Sequence, residues 1–166
     1  MAAKLCGASQ IIGIDVDDRK LQLAAELGAT HTVNVASECC VEEVMDISGG
    51  GVHHAIELSG VMEAMTTGWN ILGRGGKLVT AGLTPTGSKF AFQHDDLVQS
   101  EKSIVGSYMG SCVPVRDIPK FIALQQSGQM PVELLIDRRI GFDELNAGFD
   151  LLASGGALRQ ILVPDG

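Results

Sequence analysis

The chain has 166 residues, the length of one ordinary domain with a hydrophobic core. Hydrophobic residues make up 45% of it and charged residues 19%, which excludes an intrinsically disordered protein. Because the net charge is −8 and no long basic run occurs, we expect no nucleic-acid partner. No apolar run is long enough to cross a membrane and the first residues lack the pattern of a signal peptide, so we expect no membrane association and a cytoplasmic location.

Apolar strands and capped helices alternate along the first two thirds of the chain. Strands are predicted at 11–15, 31–34, 52–58, 77–83 and 103–107, with helices between them at 17–27, 37–47, 61–72 and 95–101. Asp17 and Ser37 are the predicted N-caps of the first two helices, and Gly28 is predicted to end the first of them. The segment from Lys77 to Leu83 is apolar on both faces, which is typical of a parallel strand covered by helices. The alternation predicts an α/β fold with a doubly wound parallel sheet.

The pattern changes after about residue 110. Helices are predicted at 115–126 and 142–153, and strands at 134–140 and 158–163. Earlier in the chain, between the strand at 77–83 and the helix at 95–101, Lys89–Phe92 is predicted as a short edge strand.

Asp15 ends the first predicted strand and is the sharpest candidate for a ligand-binding residue. An acid at the end of the second strand of a dinucleotide-binding unit accepts hydrogen bonds from both ribose hydroxyls and repels a 2′-phosphate. The position therefore favours NAD over NADP. The alternative is a carboxylate that only caps the following helix. Arg19 or Lys20 on that helix is either a contact to adenosine or a solvated charge.

Small residues end two further strands, at Leu58-Ser59-Gly60 and at Ala81-Gly82-Leu83. Ligands of open parallel sheets lie across the carboxyl ends of the strands, where the backbone must approach them closely. Glycine is also the ordinary stop between a strand and a helix, so neither site is specific alone. Arg159 follows a glycine pair and is suited to clamping a diphosphate, although a lone arginine on a strand is more often a surface charge.

The cysteines and histidines show no metal-ligand spacing. We expect the thiols to be reduced and packed as small apolar groups, and the imidazoles to be structural or exposed. These residues are Cys6, Cys39, Cys40, Cys112, His31, His53, His54 and His94.

Taken in order, several stretches resemble the zinc-dependent, medium-chain alcohol dehydrogenase family, and the likeness covers nearly the whole chain. Each stretch is short and weak alone, so the resemblance depends on their combination. They are Ile11–Asp15, Glu26–Thr30, Gly50–Val52 with Glu57–Gly60, Gly75–Val79, Gly106–Gly110, Phe142–Leu152 and Ser154–Arg159.

The resemblance implies a Rossmann-like fold, NAD as cofactor, and hydride transfer between an alcohol or aldehyde and NAD. It also implies a role for particular residues. Asp15 would bind the adenosine ribose, Lys20 would lie over the adenosine, Ser59, Ala81 and Leu83 would flank the nicotinamide and its ribose, the backbone at Met109 would contact the cofactor, and Arg159 would bind its diphosphate.

The departures from the family pattern are equally informative. The family holds its catalytic zinc with a Cys, a His and a second Cys that precede the first nucleotide-binding strand, and we find no counterpart, so we assign no metal ligand and no catalytic residue. The first strand and its Gly-x-Gly-x-x-Gly turn also have no counterpart; in the family that strand lies between those at 11–15 and 52–58. We therefore expect 1–110 to form a partial dinucleotide-binding domain and 111–166 to be the segment that returns to the catalytic domain.

On this interpretation the chain is a truncated part of an alcohol dehydrogenase, inactive by itself. The resemblance also implies a homo-oligomer formed through the edge strand Lys89–Phe92. Two alternatives stay open: a non-catalytic module that pairs with a full-length dehydrogenase, and a methyltransferase, whose second strand also ends with an acid that binds a ribose.

Overall fold

The computed structural model describes residues 1–36 and 39–164. The chain divides into two compact units, one of Ala2–Asp117 and one of Ile118–Gly166 with Met1. In the first unit the described strands are β1 (Ile12–Asp15), β2 (His31–Asn34), β3 (Val52–Glu57), β4 (Leu72–Thr80) and β5 (Ser103–Gly106). The helices of that unit are α1 (Ala2–Leu5), α2 (Asp18–Glu26), α3 (Cys40–Ser48), α4 (Met62–Asn70) and α5 (His94–Gln99). Helix α6 (Pro114–Gln126) spans the boundary between the units.

The strands of the first unit are parallel and form two sheets. β1 pairs with β2, and Asp15 lies opposite Asn34. β3, β4 and β5 are adjacent in that order, and Glu57 lies opposite Thr80. Within the described residues no strand pairing joins β1 to β3, so each of these strands has one edge outside any ladder. The arrangement is the predicted α/β fold. Its sheet is interrupted between β1 and β3, where the resemblance places a central strand that has no counterpart in this sequence.

One hydrophobic core serves both sheets, because α3 contacts both β2 and β3. Val33, Val44 and Leu78 are fully buried in it, and Ile12 and Ile14 of β1 pack against it. The core consists of Val33, Cys40, Val44, Ala55, Met65, Trp69, Ile71, Leu72 and Leu78. Burying an aliphatic side chain of this size stabilises a fold by about 1.5–3 kcal/mol. The sheets are therefore joined through packing where backbone pairing is missing.

The three-stranded sheet is covered on one face. Ala55 and Leu78 lie on the side of α4 in the core, whereas Ile56, Val79 and Val105 form a row on the opposite face. Ile56 is 63% exposed and Val105 is 43% exposed. The expected burial of this sheet on both faces is thus not found at these positions.

Helix α2 begins and ends where the sequence predicts. The Asp17 carboxylate accepts a hydrogen bond from Arg19 N at 2.9 Å, which is the expected N-cap contact. The Arg19 side chain also donates to this carboxylate, and this bond lowers the pKa of Asp17 to about 2. The predicted cap Ser37 lies outside the described residues.

The glycine segment before the buried part of β4 makes an irregular pairing with β3. Leu72 pairs with Val52, and the regular ladder resumes only from Lys77 opposite His54. Gly51 has φ +115°, and a Cβ there would lie 2.5 Å from Gly73 Cα. Because the colliding atom is backbone, only glycine fits at this position.

The predicted edge strand Lys89–Phe92 is wrong for the single chain, because this segment forms no strand. Phe90 and Phe92 instead pack on Trp69, with ring centroids 6.4 Å and 5.2 Å away from it. The two phenylalanine side chains of this segment therefore pack on one buried ring.

Lys102 also contacts the Trp69 ring of this aromatic cluster. Its Nζ lies 5.0 Å from the Trp69 ring centroid and 3.0 Å from Asp96 Oδ2. The hydrogen bond from Lys102 is the main reason why the pKa of Asp96 lies below its ordinary value.

The second unit contains a short parallel pair, β6 (Arg138–Ile140) and β7 (Gln160–Leu162), with helix α7 (Leu145–Ala153) between them in sequence. The predicted strand at 134–140 is correct only from Arg138, because Val132–Leu135 forms a 3₁₀ helix. Gln160 Nε2 donates to Gly148 O at 2.7 Å and so ties β7 to α7. No helix in the described parts of the chain combines the length and apolarity needed to cross a bilayer.

Candidate functional site

The carboxyl ends of β3 and β4 come together through their backbones. Gly60 follows β3, and a Cβ built on it would lie 2.5 Å from Leu83 O. Gly82 follows β4, and its Cβ would lie 2.6 Å from Gly60 Cα. Ser59, Ala81 and Leu83 therefore lie at the same end of two adjacent parallel strands, which is where open parallel sheets bind their ligands. Ser59 and Leu83 are exposed there, the latter at 78%, and Ala81 is half-buried.

Asp15 lies at the carboxyl end of β1, in line with the last residue of β2. Its side chain is half-buried, and Oδ1 accepts a hydrogen bond from Asp17 N at 3.0 Å. This bond closes the turn before α2, whose N-cap is Asp17 and not Asp15. Among residues 1–36 and 39–164, no hydrogen bond reaches Oδ2. Because an ionised carboxylate offers about four acceptor positions, it retains the capacity to accept from a diol.

The two basic residues on α2 differ in their surroundings. The Arg19 side chain is 78% exposed and bound to the Asp17 carboxylate at 2.7 Å. Lys20 is half-buried in the first turn of α2. Of the two, Lys20 is the one that the resemblance places over adenosine.

Met109 follows β5 and begins a 3₁₀ turn, Met109–Ser111. Its φ is +51°, a left-handed conformation that is rare for a residue with a side chain, and the side chain is 78% exposed. The turn is held near the end of β4 because Ser107 N donates to Thr80 O at 2.9 Å.

Arg159 belongs to the unit Ile118–Gly166. Its side chain is exposed, and its carbonyl accepts a hydrogen bond from Asp137 N at 2.9 Å. Its role toward a diphosphate stays a prediction.

Glu57 lies in this region and has no predicted role from the sequence, although it belongs to the matching stretch Glu57–Gly60. It ends β3, is only 5% exposed, and accepts hydrogen bonds at both carboxylate oxygens. Burial is the largest single effect and raises its pKa, but the hydrogen bonds from Ser59, Gly60 and Thr80 together outweigh it, so the pKa is lowered. The available signal was an acid at the end of a predicted strand, two residues before Ser59-Gly60.

The described residues do not fit a zinc ion. Among them, no group of three or more His, Cys, Asp or Glu side chains is placed to hold a metal. All four histidines are exposed, in agreement with their predicted role. Cys40 is buried in the core, and that burial raises the pKa of its thiol. Cys6 and Cys39 are exposed, so the prediction that the thiols are packed is wrong for these two.

Parallel strands joined through helices, with small-residue turns at their carboxyl ends, are typical of nucleotide-binding α/β proteins of the Rossmann type. Residues 1–127 match the family model of zinc-binding dehydrogenases, and the chain belongs to this family. The predicted resemblance to the zinc-dependent medium-chain alcohol dehydrogenases is confirmed.

Three known proteins illustrate the relationship. Alcohol dehydrogenase 2 of Zea mays is 31% identical over 163 residues, which are 96% of this chain and 43% of the maize protein. Benzyl alcohol dehydrogenase from Acinetobacter calcoaceticus superposes with a TM-score of 0.94 and 35% identity, over 99% of this chain and 45% of its own. A zinc-binding dehydrogenase from Sinorhizobium meliloti 1021, solved with NADP bound, superposes with a TM-score of 0.83 and 26% identity, over 98% of this chain and 47% of its own. The chain spans less than half the length of these relatives.

Proposed function

We propose that this chain carries most of the NAD-binding part of a zinc-type alcohol dehydrogenase, an enzyme that moves hydride between an alcohol or aldehyde and NAD. The observation that supports this best is Asp15, a half-buried carboxylate with acceptor capacity at the end of β1, in a member of this family. The cytoplasmic location stays a prediction from the sequence.

Each predicted site residue has a role in this proposal. Asp15 accepts from the adenosine ribose hydroxyls, and Lys20 lies over the adenosine. Ser59, Ala81 and Leu83 flank the nicotinamide and its ribose, the backbone at Met109 contacts the cofactor, and Arg159 binds a diphosphate. The carboxylate of Asp15 would repel a 2′-phosphate, which favours NAD over the NADP that the Sinorhizobium meliloti relative binds.

Calorimetric titration of the purified chain tests the cofactor assignment. We expect NADH and ADP-ribose to give saturable heats and S-adenosylmethionine to give none, because the turns after β3 and β4 belong to a dehydrogenase. Saturable binding of S-adenosylmethionine without binding of NADH would favour the methyltransferase alternative.

We also propose that the 166-residue chain does not turn over alcohol by itself and acts as part of a longer enzyme. The support is that the described residues present no metal-binding group, while the relatives are more than twice as long. Alcohol-dependent production of NADH by the purified chain would refute this.

We further propose that the chain forms a homo-oligomer through Lys89–Phe92, which would become a strand only when paired with a second copy. Ala91 is exposed between Phe90 and Phe92. Replacing Ala91 by proline removes a backbone donor, so we expect light scattering to show a dimer for the parent chain and a monomer for A91P. Ala91→Ser is the matched control and should stay dimeric. An unchanged mass for A91P would contradict this interface.

A second function is favoured by the open strand edges. In the described chain β1 pairs with β2 alone and β3 with β4 alone, and Ile56 of β3 is exposed. Such edges can accept a strand from another protein, so the chain could serve as an assembly module for a full-length dehydrogenase. Co-purification with a longer dehydrogenase chain would support this function, and a monomer that never co-purifies with one would count against it.

A further inference from the structure

We propose that Glu57 is a positioning residue that fixes the spacing between the turn Ser59–Gly60 and the turn Ala81–Leu83. This inference rests on the proposed function, in which the nicotinamide half of the cofactor lies on these two turns. Glu57 would not touch the cofactor itself; it would act through the backbone that does.

The hydrogen bonds of Glu57 join two strands and the turns that follow them. Its Oε1 accepts from Ser59 Oγ at 2.8 Å and from Gly60 N at 2.7 Å, both in the turn after β3. Its Oε2 accepts from Thr80 Oγ1 at 2.9 Å, on β4. Its own carbonyl accepts from Ala81 N at 2.9 Å. One residue therefore connects both turns through its side chain and its backbone.

Hydrogen bonds from neutral donors stabilise the negative charge of Glu57. Two hydroxyls and the Gly60 backbone amide donate to its carboxylate, and the side chain is buried. A buried carboxylate is costly unless its oxygens are hydrogen-bonded. The carboxylate of Glu57 meets this condition at the junction of the two turns. An apolar residue in its place would leave the Gly60 amide and the Thr80 hydroxyl without an acceptor.

The spacing that Glu57 controls is unusually tight. A Cβ at Gly82 would lie 2.9 Å from Glu57 Oε2 as well as 2.6 Å from Gly60 Cα. The two turns thus touch through backbone atoms alone, and the Glu57 carboxylate lies next to both of them. A small movement of Glu57 would shift both turns and hence any ring held by Ser59 and Leu83.

Thr80→Val is the sharpest test, because valine has nearly the shape of threonine and removes only the bond to Oε2. We expect T80V to weaken NADH binding about tenfold, because the turn after β4 would no longer be held in register with the turn after β3 and the groups that contact the ring would be misplaced. We expect ADP-ribose, which lacks nicotinamide, to bind with little change. Thr80→Ser keeps the hydroxyl and should restore NADH affinity.

The matched control is Thr66→Val, which removes a hydroxyl bonded to Met62 O on an exposed part of α4. It should leave the affinity for both ligands unchanged. Equal weakening of NADH and ADP-ribose by T80V would reduce Glu57 to a general structural role. No change in either affinity would overturn the inference.

A second readout needs no cofactor and separates this inference from the proposed function. If the parent chain binds neither ligand, the proposed function fails, and amide hydrogen exchange then decides the role of Glu57. We expect the Gly60 amide to exchange about tenfold faster in T80V, because a carboxylate released from Thr80 holds that amide less firmly. Unchanged exchange at Gly60 in T80V would refute the positioning role.

Discussion

Asp15→Asn is expected to weaken NADH binding about 10–100-fold, measured by calorimetry on the purified chain. Hydrogen bonds to a charged group contribute about 1.5–3 kcal/mol, and an asparagine amide offers the ribose diol one acceptor oxygen and no charge. The substitution is mild for the fold, because the amide oxygen of the new side chain would still accept from the Asp17 amide as Asp15 does now. ADP-ribose should lose as much affinity as NADH, since both contain the adenosine ribose.

The same substitution should change the preference between the two nicotinamide cofactors. Without the negative charge, the repulsion of a 2′-phosphate disappears, so the ratio of NADH to NADPH affinity should fall. Asp46→Asn, which neutralises an exposed acid on α3, is the matched control and should change neither affinity nor preference. If D15N binds both cofactors as the parent chain does, Asp15 is only the cap of the turn before α2.

Trp69→Ala is expected to lower the free energy of unfolding by about 3–5 kcal/mol, the usual cost of removing a buried large aromatic ring. Trp69 is 4% exposed and packs within the core on Phe90 and Phe92. Its loss would also leave Lys102 without the ring below its ammonium group. A domain of this size has a total stability of about 5–15 kcal/mol, so the substitution should remove a large fraction of it and lower the urea midpoint of the variant.

Urea unfolding followed by circular dichroism measures this effect, since the chain contains one Trp and the variant has none to report by fluorescence. Tyr108→Ala is the matched control: Tyr108 is 75% exposed, and its truncation should cost less than about 0.5 kcal/mol. Equal midpoints for the two variants would mean that the Trp69 cluster does not hold the unit together.

The parts of the fold that local chemistry determines were predictable from the sequence. Asp17 before an amphipathic stretch and Gly28 after it set the limits of α2, because a cap and a stop act on neighbouring backbone groups. The position of Asp15 at the end of β1 followed from the same short segment. His31–Asn34 was predicted with the bounds that the structure shows.

The features that depend on distant contacts were not predictable in this way. Lys89–Phe92 alternates like a strand, but its aromatic rings are engaged by Trp69, which lies well before them in the chain. Burial of Glu57 depends on Thr80, which the fold brings to it from the neighbouring strand. A single sequence shows that an acid ends a strand, and only the fold shows which donors surround it.

The backbone contacts between glycines restrict how this sequence can evolve. Gly82 faces Gly60, and Gly51 faces Gly73, so at each contact the opposing residue is already the smallest one available. If one glycine of a pair is replaced, the steric clash cannot be removed by making the opposing residue smaller. It can be removed only if the backbone moves. These positions therefore lack second-site suppressors, and a library of variants should recover glycine at Gly51 and Gly82 in every folded clone.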